Sequence, residues 1–462
     1  MNSALRRENH SRPEGLEKSV ELTSGEEIYA LARALFPICR SLTGEGQRQT
    51  LRILREVIDL TVHEVPSGTR LFDWTVPREW NIRGAYIADR NGRKIVDFAD
   101  SNLHVLGYSV PVERRMNLAA LKPHLFSLPE HPDWIPYRTS YYQENWGFCL
   151  RHRTLLEMTD GEYEVRIDSS LQDGTLCYGE FAIPGKRAEE VLISCHICHP
   201  SLANDNLSGI AVAALLAKEL AAKPRRYSYR FLFTPGQIGS IAWLCRNEGR
   251  APLIKAGLIL ACLGDSGAFT YKKSRRGDSL IDRAVARALS DRGAPFQTME
   301  FSPFGYDERQ FCSPGFNLPV GCFMRTPHGC FPEYHTSADN LEFISAGNLA
   351  ESFDCCRAII DVLEEERTLV NLLPKCEPQL GKRGLYGSIG GASGAREREM
   401  GLLWVLNLSD GRHSLLDIAQ RSGLSFRQIA EAAAALEERG LVQERKPEGK
   451  RPRVKGKIEN HG

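Results

Sequence analysis

The stretch that decides the fold is VLISCHICHPSLANDNLSGI at residues 191–210. Its first four residues predict a buried strand, and residues 210–222, rich in Ala, Leu and Val, predict a helix. Between them lies a polar turn that carries His196 and Asp205. Because imidazole nitrogens and carboxylate oxygens are common ligands of zinc, such a turn at a strand end predicts part of a metal site.

Two further turns hold residues of the same chemistry. PEYHTSADN at 332–340 carries His335, and CLGDSG at 262–267 carries Asp265. The turns with His196, Asp205 and His335 also have structural interpretations: a satisfied histidine at a strand end, an Asx turn at Asp205 and a cap at His335. A Cys/His zinc ribbon is not supported, since the second half of its pattern is missing. The three turns together favour a metal site.

Strand and helix patterns alternate from about residue 160 to 370. This alternation predicts an α/β domain with a mainly parallel sheet and helices on both faces. Strands are predicted at 162–167, 176–183, 191–194, 229–233 and 256–263, and helices at 210–222, 238–245 and 280–290. Functional side chains in such sheets follow the carboxyl ends of strands, where the three turns are expected.

Shifts in composition divide the chain into domains. The α/β domain is predicted over 24–65 and 150–372. Short runs separated by turns, with a DRNGR hairpin signal at 89–93, predict an inserted β-rich domain at 66–149. A glycine-rich linker follows at 373–398, and three short helices predict a winged helix-turn-helix at 399–457.

Composition and charge exclude some functions. The chain has 462 residues and a formal net charge of +1, so it has no overall attraction to nucleic acid or anionic membranes. Its N-terminus is polar, and no apolar run is long enough to span a bilayer. The 13 cysteines lack a regular spacing, which favours a reducing cytoplasm. We predict a cytoplasmic protein without a membrane partner.

The third helix of the winged-helix segment, at 425–439, is poorly suited to DNA. Arg427, Gln428 and Arg439 suit base or phosphate contacts, but three glutamates share the same helix. Sequence-specific DNA-binding helices usually present a more basic face. A packing or dimerisation role is therefore favoured over DNA binding, and a homo-oligomer is left open.

Residues 24–65 and 160–370 resemble the zinc exopeptidases of the bacterial leucyl aminopeptidase and aminopeptidase S type. DNLSG at 205–209 and YHTSAD at 334–339 carry the resemblance. It implies a three-layer αβα fold with a mixed, mostly parallel sheet. It also implies that zinc is bound by His196, Asp205, Asp265 and His335, with Asp205 as the bridging ligand of the family.

A second resemblance runs over nearly the entire chain. It is to bacterial aminopeptidase-like proteins of unassigned activity, which have an inserted β domain and a C-terminal winged helix. The shared motifs are RSLTG at 40–44, FDWTVP at 72–77, PYRTSYY at 136–142, DERQF at 307–311 and RTPHG at 325–329.

One departure from the peptidases concerns Gly236 and Gln237, which stand where those enzymes have a Glu-Glu pair. Glycine cannot transfer a proton, and a neutral amide is a poor zinc ligand. We therefore expect one zinc ion rather than two. Replacing both residues by glutamate is predicted to raise the zinc content from about one ion per chain toward about two.

Without that glutamate, the proton transfer needs another group. Glu333, Asp307 and Glu308 are the candidates for catalysis, with loop salt bridges as the alternative role of each. Arg325 and His328 are candidates for binding a substrate carboxylate or oxyanion. The alternative for Arg325 is an ion pair with a nearby acid.

The sequence thus predicts a zinc-dependent hydrolase of the aminopeptidase type. Its reaction would be cleavage of an amide or peptide bond in a small-molecule or peptide substrate, with activity altered by the loss of the Glu-Glu pair. The alternative is a catalytically silent metal-binding protein that acts through its winged helix in protein or DNA binding.

Overall fold

The structure is a computed structural model that describes residues 24–385 and 395–445. The predicted N-terminal tail, the glycine-rich part of the predicted linker at 386–394 and the basic tail beyond 445 lie outside the described residues.

The helices and strands of the described residues are numbered in chain order. The α-helices are α1 (Gly25–Leu35), α2 (Glu45–Val57), α3 (Leu118–Leu121), α4 (His152–Glu157), α5 (Gly209–Ala221), α6 (Ile238–Arg246), α7 (Leu280–Arg292), α8 (Glu308–Phe311), α9 (Ala346–Glu365), α10 (Ala395–Leu408), α11 (Leu415–Ser422) and α12 (Phe426–Glu438). The strands are β1 (Thr61–Pro66), β2 (Arg70–Leu71), β3 (Trp74–Thr75), β4 (Glu79–Ala88), β5 (Lys94–Asp97), β6 (Val112–Asn117), β7 (Leu125–Phe126), β8 (Phe148–Cys149), β9 (Glu162–Gln172), β10 (Thr175–Ile183), β11 (Glu190–His196), β12 (Ser228–Thr234), β13 (Ile254–Leu260), β14 (Phe269–Lys272), β15 (Phe296–Met299), β16 (Val320–Met324), β17 (Thr368–Asn371), β18 (Asp410–Ser414) and β19 (Val442–Glu444).

An eight-stranded mixed sheet forms the centre of the molecule, in the order β1-β10-β12-β11-β13-β16-β14-β15. Its middle strands β12, β11, β13 and β16 are parallel to one another. Strands β1 and β10 at one edge and β14 near the other run antiparallel to their inner neighbours. The predicted mixed, mostly parallel sheet is confirmed.

Both faces of this sheet are covered, as the fold class predicted. One face packs against α1, α2, α5, α7 and α9, which share a single apolar core. Helix α5 is buried along almost its entire length, because α1, α9 and the sheet enclose it. The other face packs against α6 and the core of the inserted β domain. Such burial on two faces explains why every residue of β11 is buried and why its middle, from Val191 to Ile193, is apolar.

A second sheet has the order β5-β4-β9-β6, with antiparallel pairs throughout. The sequence placed a strand at 162–167 in the α/β domain and ended the insert at 149. The pairing of β9 with β4 and β6 instead puts this strand in the sheet of the insert. Alternation of apolar and polar residues in a sequence predicts a strand, but it does not indicate which sheet the strand joins.

The C-terminal module has the three helices α10, α11 and α12 and a three-stranded sheet. Its central strand is β17, which pairs with β18 and β19 and precedes the linker segment in sequence. The winged helix therefore takes a strand from residues that the sequence assigned to the α/β domain. Among the helices of the described residues, none is both long and apolar enough to cross a membrane.

Candidate metal centre

The turn after β11 is built around Asp205. The Asp339 carboxylate accepts hydrogen bonds from the backbone N–H groups of Asn204 (2.6 Å) and Asp205 (3.0 Å). The Asn206 amide donates to the Leu260 carbonyl oxygen at the end of β13 (3.0 Å). These contacts fix the turn between two neighbouring parallel strands, so that the Asp205 carboxylate is fully buried.

Three imidazoles meet at this carboxylate. His196 Nε2 lies 2.9 Å from Asp205 Oδ1, and His335 Nε2 lies 3.1 Å from Asp205 Oδ2. His199 Nδ1 is 3.2 Å from Asp205 Oδ2. The structure thus brings His196, Asp205 and His335 together from sequence positions up to 139 residues apart (335 − 196).

Sequence reasoning missed His199. The sequence did contain an indication of this residue, because His196 and His199 are three residues apart in the same predicted turn. The Cys/His pattern there was set aside as an incomplete zinc ribbon, and the resemblance assigned one histidine from this turn. His196, His199 and Asp205 form a group whose ligand atoms lie within 4.8 Å of one another.

Burial and mutual attraction set the charges of this cluster. Burial lowers the pKa of His196 to about 4, against the attraction of Asp205. Burial also lowers the pKa of His335. Burial opposes the charge of His199 as well, but the Asp205 carboxylate raises its pKa above the usual value. Burial alone would raise the pKa of Asp205, yet His199 and His196 hold it well below the ordinary range. The carboxylate is therefore ionised, and His196 and His335 keep neutral nitrogens.

The predicted ligand Asp265 does not join this group. Its carboxylate accepts hydrogen bonds from the Asn204 amide (2.9 Å), the Thr326 hydroxyl (2.7 Å) and the Gly267 N–H (2.7 Å). Asp265 therefore holds the Asn204 turn, and it is in neither of the two groups whose ligand atoms lie within 4.8 Å of one another among the described residues. The residue from this strand end that lies beside Asp205 is Cys262.

Two of the three predicted catalytic acids are also bound elsewhere. The buried Asp307 carboxylate accepts at Oδ1 from the Gln237 N–H (2.6 Å) and the Ser240 hydroxyl (2.9 Å), and burial raises its pKa to about 7. Its Oδ2 atom is buried without a hydrogen-bond partner among the described residues. Glu308 forms a buried ion pair with Lys272 (2.8 Å). Glu333 is half-buried, and its side chain has no polar partner among the described residues.

The two predicted substrate-binding residues have different surroundings. Arg325 is buried, donates to the Gly267 carbonyl oxygen (2.8 Å) and pairs with Glu351. This is the ion-pair alternative that the sequence left open. A ring nitrogen of His328 instead lies close to Asp205 and Cys262, in a second group with ligand atoms within 4.8 Å.

A tyrosine fills the space beside Gly236. A Cβ atom at Gly236 would lie 1.9 Å from the Tyr306 hydroxyl. That hydroxyl is 3.2 Å from Cys198 Sγ and 3.4 Å from His199 Nε2, and the Tyr306 ring lies 4.0 Å from the His196 ring. The predicted gain of zinc on placing glutamates at both Gly236 and Gln237 rested on adding a ligand in a preformed turn. Tyr306 fills the space that a side chain at Gly236 would need, so the glutamate at that position requires Tyr306 to move.

A cavity of about 260 Å³ opens onto the cluster at His199, His335 and Tyr306. The insert supplies its opposite wall, which is mainly aromatic. The residues of that wall are Trp74, Tyr137, Arg138, Thr139, Tyr141 and Tyr142. The described lining contains no carboxylate.

A mixed sheet between two packed layers, with histidines and an aspartate after its central strands, is the arrangement of an aminopeptidase-like fold. Solved structures agree with this class. A zinc aminopeptidase from Bacillus subtilis is similar in fold, with a TM-score of 0.54 and 14% identity over 73% of this chain and 94% of its own. An M28 peptidase precursor from Shewanella amazonensis has a TM-score of 0.52 and 12% identity over 73% of this chain and 93% of its own.

The chain belongs to the family named domain of unknown function DUF4910, whose profile matches residues 29–366. A winged helix-turn-helix profile matches residues 367–444. A Clostridium acetobutylicum protein is 53% identical over 89% of this chain and 95% of its own length. Its provisional name assigns it to polysaccharide biosynthesis and gives it an aminopeptidase-like domain. The crystal structure of a provisionally named peptidase from the same organism has a TM-score of 0.87, with 50% identity over 91% of this chain and 96% of its own.

Proposed function

We propose that this protein is a zinc-dependent hydrolase that cleaves an amide bond in a small-molecule or peptide substrate. The observation that carries the proposal is the meeting of His196, His199 and His335 at the Asp205 carboxylate. His199 and His335 also line the adjoining cavity, so a substrate there would contact the cluster directly.

The residues of the cluster fit zinc. Imidazole nitrogen and carboxylate oxygen are its usual protein ligands together with thiolate. His196, His199, Asp205 and His335 would hold the ion, and Asp339 supports Asp205 through the backbone as outer residues of metal sites do. A bound zinc ion supplies Lewis-acid chemistry, which polarises a carbonyl group and makes water more acidic.

The chain's own groups have separate tasks in this proposal. Glu308 is held in its ion pair with Lys272, and Asp307 accepts hydrogen bonds at Oδ1 from Gln237 and Ser240. Glu333, whose side chain has no polar partner among the described residues, is the predicted acid that would accept a proton from the attacking water. Tyr306 lines the cavity, and its hydroxyl beside His199 would donate a hydrogen bond to a substrate oxygen. The aromatic wall from the insert positions the substrate.

The cavity favours a substrate without a free ammonium group. Its described lining has no carboxylate to pair with an α-ammonium, but it offers flat aromatic rings, neutral polar groups and the Arg138 guanidinium. Sugar rings stack their apolar C–H faces on such aromatic rings. The relative named for polysaccharide biosynthesis gives independent support for this choice. N-acylated amino sugars therefore belong beside aminoacyl amides and peptides among the substrates to test.

The test combines metal analysis with turnover. Purified protein should contain zinc, and His196→Ala and His335→Ala should lower the zinc content and abolish hydrolysis. His413→Ala is the matched control, because His413 also lies 3.0 Å from an aspartate, Asp410, but belongs to the winged helix. It should leave zinc content and turnover unchanged.

Two outcomes would contradict the proposal. Zinc content that is unaffected by the His196 and His335 substitutions would show that the cluster does not bind the metal. Zinc bound at the cluster without turnover on the full set of amides would favour the alternative of a catalytically silent metal-binding protein.

A further inference from the structure

We propose that Asp205, Cys262 and His328 form a second metal position beside the first, with Asp205 contacting both ions. The inference rests on the proposed function in that Asp205 belongs to the first metal position. It replaces the expectation of a single ion. It also assigns ligands that differ from those implied by the peptidase resemblance, which placed the second ion beside Gln237.

The three side chains converge from separate parts of the chain. Their ligand atoms, a carboxylate oxygen, a thiol sulfur and a ring nitrogen, lie within 4.8 Å of one another. Asp205 and Cys262 are fully buried, and His328 is half-buried. A space enclosed by three such donors is suited to a cation that has lost most of its water.

The backbone around Cys262 is held in an uncommon conformation. Cys262 follows β13 with a φ of 49°, in the left-handed region that costs free energy for a residue with a side chain. Its N–H donates to the Asn206 amide oxygen (3.3 Å), and its carbonyl oxygen accepts from the Arg325 N–H (2.9 Å). These two contacts hold the chain reversal at the end of the strand. Through its backbone N–H group, Arg325 thus helps to hold the Cys262 turn.

His328 has a buried nitrogen that needs a partner. Its Nε2 atom is shielded from solvent and makes no hydrogen bond to the described residues. A buried polar atom without a partner costs free energy, on the order of 1–3 kcal/mol. The ring lies between Tyr306 and Tyr334, with centroid distances of 6.0 and 6.2 Å. A metal ion bound by His328 and Cys262 would satisfy this nitrogen.

The donor set selects the class of metal. A thiolate together with an imidazole and a carboxylate favours zinc or cobalt over magnesium and calcium, which prefer oxygen ligands. Neither Gly236 nor Gln237 is needed for this position. The loss of the Glu-Glu pair therefore does not by itself reduce the site to one ion.

Cobalt substitution of the full-length chain tests the second position. Cobalt(II) bound to a thiolate gives a charge-transfer band in the near ultraviolet, which imidazole and carboxylate ligands do not give. The cobalt protein should hold about two ions per chain and show this band. Cys262→Ser should remove the band and lower the content toward about one ion, and His328→Gln should lower the content in the same way.

Cys198→Ser is the matched control. Cys198 is a buried thiol whose Sγ atom contacts Tyr306 in the same region, but it is not part of either ligand group. Its substitution should leave the band in place. Because Cys262 and His328 are changed separately, a folding defect in one variant leaves the other as a test, with circular dichroism as the check on folding.

The outcomes separate this inference from the proposed function. Cobalt protein without the band, or a band that survives Cys262→Ser, would overturn the second position. If one ion then remains, is lost in His196→Ala and supports hydrolysis, the proposed function stands alone. Failure to bind any cobalt would overturn both.

Discussion

At the scale of single residues, Gly236 and Tyr306 act as a complementary pair. The absence of a side chain at one position leaves room for the phenol of the other, within reach of Cys198 and His199. The glycine was interpreted from sequence as the loss of a catalytic group. In the structure, the glycine also leaves the space in which a different polar group, the Tyr306 hydroxyl, lies beside the imidazoles.

We expect Gly236→Ala to lower the free energy of unfolding by about 1–3 kcal/mol, because the new methyl group would overlap the Tyr306 ring. Gly249→Ala is the control: a methyl group there has open space around it and should change stability by less than about 0.5 kcal/mol. Urea unfolding measures both. If Tyr306 is the cause, Gly236→Ala should cost little when added to Tyr306→Ala; an equal cost in both backgrounds would contradict this.

Asp307 should make stability depend on pH. Burial raises the pKa of its carboxyl group from 3.8 to about 7, so the folded state favours the protonated form. The stability contributed by the protonated Asp307 carboxyl group is fully present below about pH 4, where the group is protonated in the folded and the unfolded chain. It is lost as the pH rises through about 7. Relative to wild type, Asp307→Asn should therefore gain stability between pH 4 and 8, by up to about 4 kcal/mol.

Urea unfolding of the metal-free protein at several pH values measures this effect. The amide of the variant can still accept from Gln237 and Ser240, as the carboxylate does. Substitution of the exposed Asp59 by Asn serves as the control. Parallel pH profiles of wild type and Asp307→Asn would show that Asp307 does not titrate in this range.

At the scale of elements, the position of α12 limits what the winged helix can contact. Its first N–H group, at Phe426, donates to Asp291 of α7 (2.8 Å). Ion pairs join Arg283 to Asp417 (2.7 Å) and Arg367 to Glu437 (2.7 Å). The apolar side of α12 belongs to the same core as α7 and α9. The N-terminal end of α12, which is the end of a recognition helix that enters a DNA groove, therefore packs against α7.

We expect Phe426→Ala to lower the free energy of unfolding by about 3 kcal/mol, because it removes a buried aromatic ring between the winged helix and the α/β domain. Arg427→Ala is the control and should change the free energy of unfolding little. Its side chain is 89% exposed, and its ion pair with Glu431 is correspondingly weak. Calorimetry should show one cooperative transition for wild type and a lower midpoint for Phe426→Ala. Two separate transitions in wild type would show that the modules unfold independently.

At the scale of the whole molecule, the insert and the metal loop are joined by backbone pairing. The Tyr137 N–H donates to the His335 carbonyl oxygen (2.8 Å), and the Ser337 N–H donates to the Ile135 carbonyl oxygen (2.8 Å). The Ser337 hydroxyl oxygen accepts from the Ile135 N–H (2.9 Å). His335 has a φ of 56°, so these contacts hold a strained residue in place. The insert thus supplies a wall of the cavity and also fixes a histidine of the cluster.

Ser337→Ala should weaken metal retention without changing any side chain of the cluster. It removes the acceptor for the Ile135 N–H and loosens the loop that carries His335. We expect zinc to dissociate about tenfold faster, as is typical when outer residues of a metal site are lost. Competition with a chelator measures the rate. Ser127→Ala, whose hydroxyl contacts His152 in the insert, should leave it unchanged.

The local sequence determined much of this protein. The strand at β11, the turn with His196 and Asp205, the apolar helix α5 and the capped helices of the winged-helix module follow from periodicity and turn chemistry over neighbouring residues. The order of these elements was enough to predict an α/β domain with a mainly parallel sheet, whereas the mixed sheet was predicted from the family resemblance.

Only the tertiary structure decided which side chains face one another. It placed β9 in the sheet of the insert, gave the Asp265 carboxylate hydrogen bonds from Asn204, Thr326 and Gly267, and brought His199, Cys262 and His328 to Asp205. The physical reason is that a side chain's partners depend on strand pairing and loop paths between distant segments, whereas periodicity reports only local conformation. Tyr306 beside Gly236 is such a contact, since 70 residues separate the two positions (306 − 236).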